Sequence, residues 1–261
     1  LGLLYRLRGD LDGALDHLQR ALAIREPQLP PEDDRLVTNL NTLAYVLYNL
    51  RRYDEAEGLY RRTLAIRRRT LGDHVQTAQV LNDFAALRLA QDHPEEALAL
   101  HREALRIRQH LLGSDHPHVS QSQEQIGWAL QQQGRYAEAE RLYQQALDAR
   151  RAHFGETHVA VANSLLLLGE ACALQGKTDE GLALIAEGVE VMAAALGAEH
   201  KSTHLARLRY AERLADAGRG AEARRQLTAL GPLRKTTEAG DPIQKRIVAL
   251  EEILDPWAAR R

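Results

Sequence analysis

Residues 130–146 read LQQQGRYAEAERLYQQA, and variants of this stretch return along most of the chain. Ala139 lies within this stretch, and a small residue recurs in step with it at intervals of 42, 41, 42, 42 and 42 residues. The series is Ala14, Ala56, Ala97, Ala139, Gly181 and Ala223. Self-similarity at a fixed period of this length is typical of solenoids built from repeated supersecondary units. The period therefore predicts stacked units that share one continuous core.

Composition narrows the fold class and the range of partners. The 261 residues are 44% hydrophobic and 27% charged, and they include only two Phe and eight Pro, which favours an all-α protein. A net charge of −2 gives no general attraction to nucleic acid or to an acidic membrane. Cys172 is the single cysteine, so no internal disulfide forms. Without an 18-residue apolar run or a signal peptide, we expect a soluble cytoplasmic protein.

Each unit reads as two amphipathic helices, A and B, joined by a short turn and followed by a longer loop. We predict units at about residues 1–34, 35–75, 76–117, 118–159, 160–201 and 202–241, a capping helix at 242–254 with Asp241 as its N-cap, and a tail at 255–261. The chain begins without Met and inside a unit, because residues 1–7 form only the end of a helix A. This start predicts a piece of a larger polypeptide whose open end could self-associate.

Two sets of small residues recur with the period. One lies at the turn between A and B and predicts a positive φ there: Gly9, Gly134, Gly176 and Gly218. Because Arg51 and Asp92 replace this glycine, we expect those two turns to close differently. The other set lies twelve residues before each member of the series that contains Ala139, and it predicts close approach of A and B: Gly2, Ala44, Ala85, Gly127, Gly169 and Ala211. Glycine lowers helix stability, so Gly181 and Gly188 inside one B helix predict that their unit is the least stable.

Two segments, residues 40–72 and 127–155, are each followed by a linker that contains histidine. Their sequences resemble a tetratricopeptide repeat array of the kinesin-light-chain type, as in many bacterial proteins. The resemblance covers essentially the whole chain. It implies a right-handed superhelix of helix pairs, an α-solenoid with a C-terminal capping helix. It also implies that the A helices line a concave groove that holds a peptide or a partner protein.

The resemblance also implies which positions of each helix A point into the groove. Counted from the small residue of helix A, they are the positions three and six before it and one, four and five after it. These positions predict a partner-binding groove of Asn41, Tyr45, Tyr48, Asn49, Asn82, Leu89, Gln121, Glu124, Trp128, Gln131, Gln132, Leu166 and Leu208. Amides can pair with a peptide backbone and aromatic rings bury large areas. The alternative for Tyr45 and Trp128 is packing against the adjoining repeat.

The two ends of the predicted groove differ in chemistry. Units five and six place Leu166, Glu170, Leu205, Leu208 and Glu212 there, which predicts an apolar pocket, or a surface covered by the tail that contains Trp257 or by another domain. Members of this family that clamp a C-terminal carboxylate use Lys, Asn and Arg at these positions. This chain has Tyr45, Ala86 and Trp128, so we predict no such clamp.

The chain's possible catalytic and metal-binding motifs are weak. ACALQGKT at residues 171–178 fits a loose phosphate-loop pattern, but a helix A precedes it and Gly176 is the turn glycine of the unit. His74, His116, His158 and His200 recur at one linker position, which favours a role at the start of each helix A over a metal site. Cys172 lies among buried positions and is interpreted as a core residue. We therefore predict no enzyme activity, no cofactor and no metal.

Arginines cluster on the B helices, while basic residues are scarce on the A helices, which argues against nucleic-acid reading. We expect most of the following side chains to face solvent on the outer side: Arg61, Arg62, Arg67, Arg68, Arg69, Arg150 and Arg151. Glu57 and Arg61 are spaced as a helical ion pair. The main hypothesis is a non-catalytic scaffold that binds a peptide or protein in its groove. The alternative is a regulatory or sensor segment of a larger signalling ATPase, protease or kinase.

Overall fold

The computed structural model describes residues 10–230 and 241–255, and all regular structure within them is helical. The described helices are α1 (Leu11–Arg25), α2 (Asp34–Asn49), α3 (Tyr53–Thr70), α4 (Val75–Ala90), α5 (Pro94–Leu112), α6 (Pro117–Gln132), α7 (Tyr136–Phe154), α8 (Val159–Leu174), α9 (Thr178–Leu196), α10 (Lys201–Asp216), α11 (Gly220–Thr228) and α12 (Pro242–Leu254). The all-α array of paired helices is confirmed. The predictions for residues 1–7, Gly9 and Trp257 lie outside the described residues.

A and B helices alternate along the chain. The A helices are α2, α4, α6, α8 and α10, each followed by its B partner, and α1 is a B helix whose partner is not described. The single helix α12 packs on α10 and α11, in the place expected for a capping helix. Its N-cap is Asp241, whose carboxylate accepts from the backbone nitrogen of Ile243 at 2.7 Å. This cap confirms the expected start of the last helix.

The turns between A and B share one geometry. Gly134 has a φ of 73° and Arg51 has a φ of 60°, so both residues adopt the left-handed conformation. The backbone nitrogen of the next residue bonds the carbonyl five positions earlier in both turns, at 2.9 Å for Arg52 and 3.0 Å for Arg135. The expectation that Arg51 and Asp92 close their turns differently was therefore wrong. The hydrogen bonds that end the helix outweigh the cost of a side chain at positive φ.

The recurring linker histidines are N-caps. The Nδ1 atom of His74 accepts from the backbone nitrogen of Gln76 at 3.2 Å, and His116, His158 and His200 accept in the same way at 3.1 Å. Asp33 fills the equivalent position before α2 and accepts from Arg35. The predicted role at the start of each helix A is confirmed, and its physical basis is an acceptor for a helix N–H that has no partner within the helix.

The chain forms two compact units, residues 1–129 and 130–261, and the division falls within α6. In the first unit, the fully buried Tyr60 of α3 stacks on Phe84 of α4 with ring centroids 5.9 Å apart. In the second unit, Gly169 and Gly181 bring α8 and α9 together. A Cβ added to Gly169 would lie 2.7 Å from the carbonyl oxygen of Gly181. Close approach at this pair of small residues is confirmed.

Among the described helices, none combines the length and the apolar character that crossing a membrane requires.

Candidate functional site

Each A helix leaves several side chains accessible, and four of their positions form one stripe. Counted from its small residue, the stripe consists of the positions six and two before it and one and five after it, and this spacing of four and three residues keeps them on one side of a helix. We call this surface the A-helix face. In the first unit it consists of Thr38, Thr42, Tyr45, Asn49, Gln79, Asp83, Ala86, Ala90, Gln121, Gln125 and Trp128.

Ten of the predicted groove residues are at least partly accessible. The exposed ones are Tyr45, Asn49, Gln121, Trp128 and Gln132. The half-buried ones are Asn41, Tyr48, Leu89, Glu124 and Gln131. Gln131 and Gln132 belong to the second unit, where the hydroxyl of Tyr143 donates to Gln131 Oε1 at 3.5 Å.

The other three predicted residues are buried. Asn82 is 2% exposed, and Leu166 and Leu208 belong to the apolar cores of the second unit. All three occupy the position three before the small residue, which turns away from the accessible stripe in these helices. We therefore remove them from the candidate site. The position two before the small residue takes their place, and this shift brings Asp83 onto the A-helix face.

The face of the first unit has one acidic residue, Asp83, and exposes two aromatic side chains. Tyr45 is 36% exposed and Trp128 is 46% exposed, although rings of this size are usually covered. The other side chains of this face include hydroxyls and amides, and the Asn49 amide nitrogen donates to the carbonyl of Tyr45 at 2.7 Å. No Lys or Arg occurs among the residues that define this face. The surface can offer hydrogen bonds and ring contacts to an extended chain.

Two arginines that we expected to face solvent on the outer side are buried or half-buried. Arg67 is only 7% exposed and donates to Asp34 at 2.6 Å. Arg150 is half-buried and donates to the carbonyl of Ala160 and to the hydroxyl of Ser164, both at 3.0 Å. Their acceptors lie on neighbouring A helices, so each arginine ties helices together.

The remaining arginines of that group lie nearer the surface. Arg61, Arg62, Arg68 and Arg69 are exposed, as expected, and Arg151 is half-buried. The predicted ion pair of Glu57 and Arg61 is present at 2.7 Å.

A cleft of about 240 Å³ opens beside α8 and α10 in the second unit. It is lined in part by Leu166, Met192 and Leu205, with Arg209 and Arg246 among its polar residues. Arg209 lies 3.7 Å from Glu170, and Arg246 pairs with Glu212 at 2.7 Å. The expected apolar end of the groove is therefore mixed, because ion pairs accompany the leucines.

The loop that resembles a phosphate-binding loop is the turn between two helices of a repeat, and its lysine forms an ion pair. Helix α8 precedes it, Gly176 has the positive φ of the turn position, and the ammonium of Lys177 lies 2.7 Å from Glu140.

Cys172, Glu180 and Glu140 could offer ligand atoms within 4.8 Å of one another. Burial raises the pKa of Cys172 to about 11, so its thiol is protonated near neutral pH.

Comparison with known families supports the fold. Three profiles described as tetratricopeptide repeat match this chain, one at residues 34–110 and 94–152, a second at 1–26 and a third at 162–187. No curated protein matches the chain significantly.

Solved structures with similar folds cover most of the chain. One comes from Podosopora anserina and is described as a kinesin light chain with nearly identical TPR-like repeats; it is 21% identical, with 87% of this chain and 99% of that chain covered and a TM-score of 0.66. BtubC (BKLC) from P. vanneervenii is 16% identical, with coverages of 95% and 92% and a TM-score of 0.63. RapI in its apo form is 16% identical, with coverages of 97% and 96% and a TM-score of 0.68.

Proposed function

Because this chain belongs to the tetratricopeptide repeat family, with repeats of the kinesin-light-chain-like type, we propose that it is a non-catalytic scaffold that binds a peptide or partner protein on its A-helix face. Proteins of this family generally serve as interaction scaffolds. The finer part of the proposal is the place where the partner binds.

One observation supports that place above the others. Tyr45 on α2 and Trp128 on α6 expose their rings at the same register position of two A helices in the first unit. Large rings of this kind carry much of the binding energy at protein interfaces. The side chains between them include amides and hydroxyls that can pair with a peptide backbone. No comparison favours the alternative of a regulatory segment of a signalling enzyme.

A displayed library of random short peptides, selected against the full chain, tests this proposal. We expect selected peptides to lose about tenfold or more in affinity when Tyr45→Ala and Trp128→Ala are combined, as for truncated interface hot spots. Leu111→Ala is the matched control, because Leu111 is equally exposed but lies on the B helix α5. Equal affinities for the double variant and the unchanged chain would refute the assignment of the face.

We also propose that the scaffold works in the cytoplasm. The buried thiol of Cys172 has no disulfide partner, and such thiols persist in a reducing compartment.

A further inference from the structure

A groove of about 530 Å³ lies between two successive B helices of the first unit, and we call it the α1–α3 groove. Helix α2 supplies its floor through the buried Leu43 and Leu47. Its walls are formed by Gln19, Leu22, Ala23 and Glu26 along and just after α1, and by Asp54, Glu55, Gly58 and Leu59 on α3. The α1 residues have the spacing of one helix face over two turns, so the groove can hold about two turns of another helix.

The walls of this groove are accessible from solvent. Leu22 and Leu59 are half-buried, while Ala23 and Gly58 are exposed. These four residues therefore offer apolar surface to a second chain, over a floor that is already closed.

The same positions line a second groove one repeat later, between α3 and α5. This α3–α5 groove is smaller, at about 380 Å³. The guanidinium of Arg61 lies over the ring of Phe84, 5.5 Å from its centroid, and Arg88 pairs with Glu96 at 2.9 Å. Arginines of this chain thus cover the apolar floor of the α3–α5 groove and neutralise its edge.

The α1–α3 groove lacks those arginines. Gln19, Leu47 and Glu26 stand at the positions of Arg61, Arg88 and Arg68. None of the residues that line it is Lys or Arg, whereas three carboxylates do line it.

These carboxylates are not fixed by strong partners. Glu26 pairs with Arg62 at 2.5 Å and Glu55 pairs with Arg52 at 2.6 Å, but each of these four side chains is at least 39% exposed. Exposed pairs contribute little and can be exchanged. Asp54 is exposed and forms no ion pair with any residue that the structure describes. The edge of the α1–α3 groove is therefore acidic and open to a cation.

Gly58 widens the α1–α3 groove without serving the packing of its own chain. It lies inside α3, where glycine lowers helix stability relative to alanine. A Cβ at this position would meet no atom within 4 Å, and Gly58 is not among the glycines with positive φ. Ala99 stands at the same position of the α3–α5 groove. Neither packing nor backbone conformation requires this glycine, whose missing side chain leaves room for another molecule.

We propose that the α1–α3 groove binds an amphipathic helix of a partner protein, one that carries Lys or Arg beside an apolar stripe. The stripe packs on Leu22 and Leu59 and fills the space over Gly58, as in other complexes that seat a helix in a groove. The basic residues pair with the acidic edge, as the chain's own arginines do in the α3–α5 groove. Because the site lies on B helices, it is separate from the A-helix face and goes beyond the proposed function.

A displayed library of helical peptides tests this proposal. Each peptide carries leucine at positions i, i+3, i+4 and i+7, and the positions beside this stripe are randomised. We expect selection against the full chain to enrich Lys and Arg over Asp and Glu at the randomised positions. A selection that yields no peptide, or peptides without this enrichment, overturns the proposal.

Gly58→Met locates the binding of the selected peptides. Methionine favours a helix and enters open space, so the variant should keep or raise the thermal midpoint of the free chain. We expect it to weaken the peptides by about tenfold or more, because the new side chain occupies their place. Ala99→Met is the matched control, since it adds the same side chain at the same position of the α3–α5 groove. Unchanged affinity in Gly58→Met contradicts the site.

The acidic edge is tested by combining Asp54→Asn with Glu55→Gln. We expect this double variant to weaken the selected peptides by about threefold, as for exposed ion pairs. Asp179→Asn with Glu180→Gln is the control, because it removes two carboxylates from the same first-turn positions of α9. An equal loss in both double variants would assign the effect to net charge and contradict a specific edge.

Two further measurements separate this site from other occupants and from the proposed function. The selected helices should bind equally well to the chain that carries Tyr45→Ala and Trp128→Ala. A loss there would place them on the A-helix face, which supports the proposed function and overturns the α1–α3 site. Light scattering of the chain alone tests a second copy as the occupant, and a dimer that Gly58→Met dissociates would overturn binding of a different protein.

Discussion

The guanidinium of Arg108, only 3% exposed, donates a hydrogen bond of 2.8 Å to the hydroxyl of Ser122, fourteen residues later on the next A helix. Arg150 and Ser164 repeat this relationship at 3.0 Å in the second unit. One period further on, Met192 and Ala206 stand at the two positions, and both are buried. Arg25 and Asn39 stand at the same two positions earlier in the chain, 3.4 Å apart. The joint between a B helix and the next A helix is therefore polar in these three repeats and apolar at Met192 and Ala206.

Replacing Arg108 with methionine tests the polar joint. We expect Arg108→Met to lower the free energy of unfolding by roughly 2–4 kcal/mol, because the Ser122 hydroxyl and the Asn82 amide lose a buried donor. Adding Ser122→Ala to Arg108→Met recreates the pair found at Met192 and Ala206. We expect the double variant to lose less free energy of unfolding than the sum of the losses in the two single variants. Urea denaturation measures both effects. Arg106→Met is the surface control. If it lowers the free energy of unfolding as much as Arg108→Met does, the stabilising role of the polar joint is contradicted.

The histidine N-caps predict a specific exchange. His74→Ala should lower stability by about 1 kcal/mol, since the backbone nitrogen of Gln76 loses its acceptor. His74→Asp should keep or raise stability, because aspartate caps α2 and α12 at the same position and its charge favours a helix N-terminus. Thermal unfolding of both variants, with the exposed His110→Ala as the control, gives the comparison. An aspartate variant less stable than the alanine variant would contradict this role.

Two glycines inside B helices should respond in opposite directions. A Cβ at Gly181 would lie 2.6 Å from the carbonyl oxygen of Gly169, so we expect Gly181→Ala to destabilise by about 1–3 kcal/mol through overpacking. Gly58 in α3 has open space around its Cα, and Gly58→Ala should stabilise by about 0.5–1 kcal/mol through helix propensity. Chemical denaturation measures the pair. Stabilisation by both changes would show that packing does not require Gly181.

His101 predicts a pH dependence of stability. Burial, with a further effect from Arg108, lowers its pKa from 6.5 to about 4. The native state thus binds fewer protons than the unfolded chain between these values. The contribution of His101 is fully present above pH 6.5 and is lost as the pH falls toward 4, with a slope of up to about 1.4 kcal/mol per pH unit.

The measurement is the free energy of unfolding at several pH values in the unchanged chain and in His101→Gln. We expect the variant to show a smaller loss of stability on acidification, because glutamine does not titrate. His110→Gln, at an exposed position, should retain the slope of the unchanged chain. Identical slopes for the unchanged chain and His101→Gln would rule out His101 as the source.

Several features of the candidate site needed the coordinates. The resemblance to the repeat family implied that Asn82 lies in the groove, whereas the next residue, Asp83, is the accessible one. One residue turns a helix by about 100°, and both residues are polar, so the hydrophobic pattern could not separate them. Arg67 and Arg108 could have been suspected from their recurrence with the period, but arginine in a B helix usually faces water.

The sequence by itself determined the repeat period, the pairing of A and B helices, the turn positions and the capping residues, because each depends on residues close together in the chain. Only the tertiary structure decided which polar side chains enter the core and which remain on the A-helix face. That choice depends on acceptors supplied by the next helix, such as Ser122 for Arg108. No local pattern contains such a partner, because folding brings it into reach from a helix further along the chain.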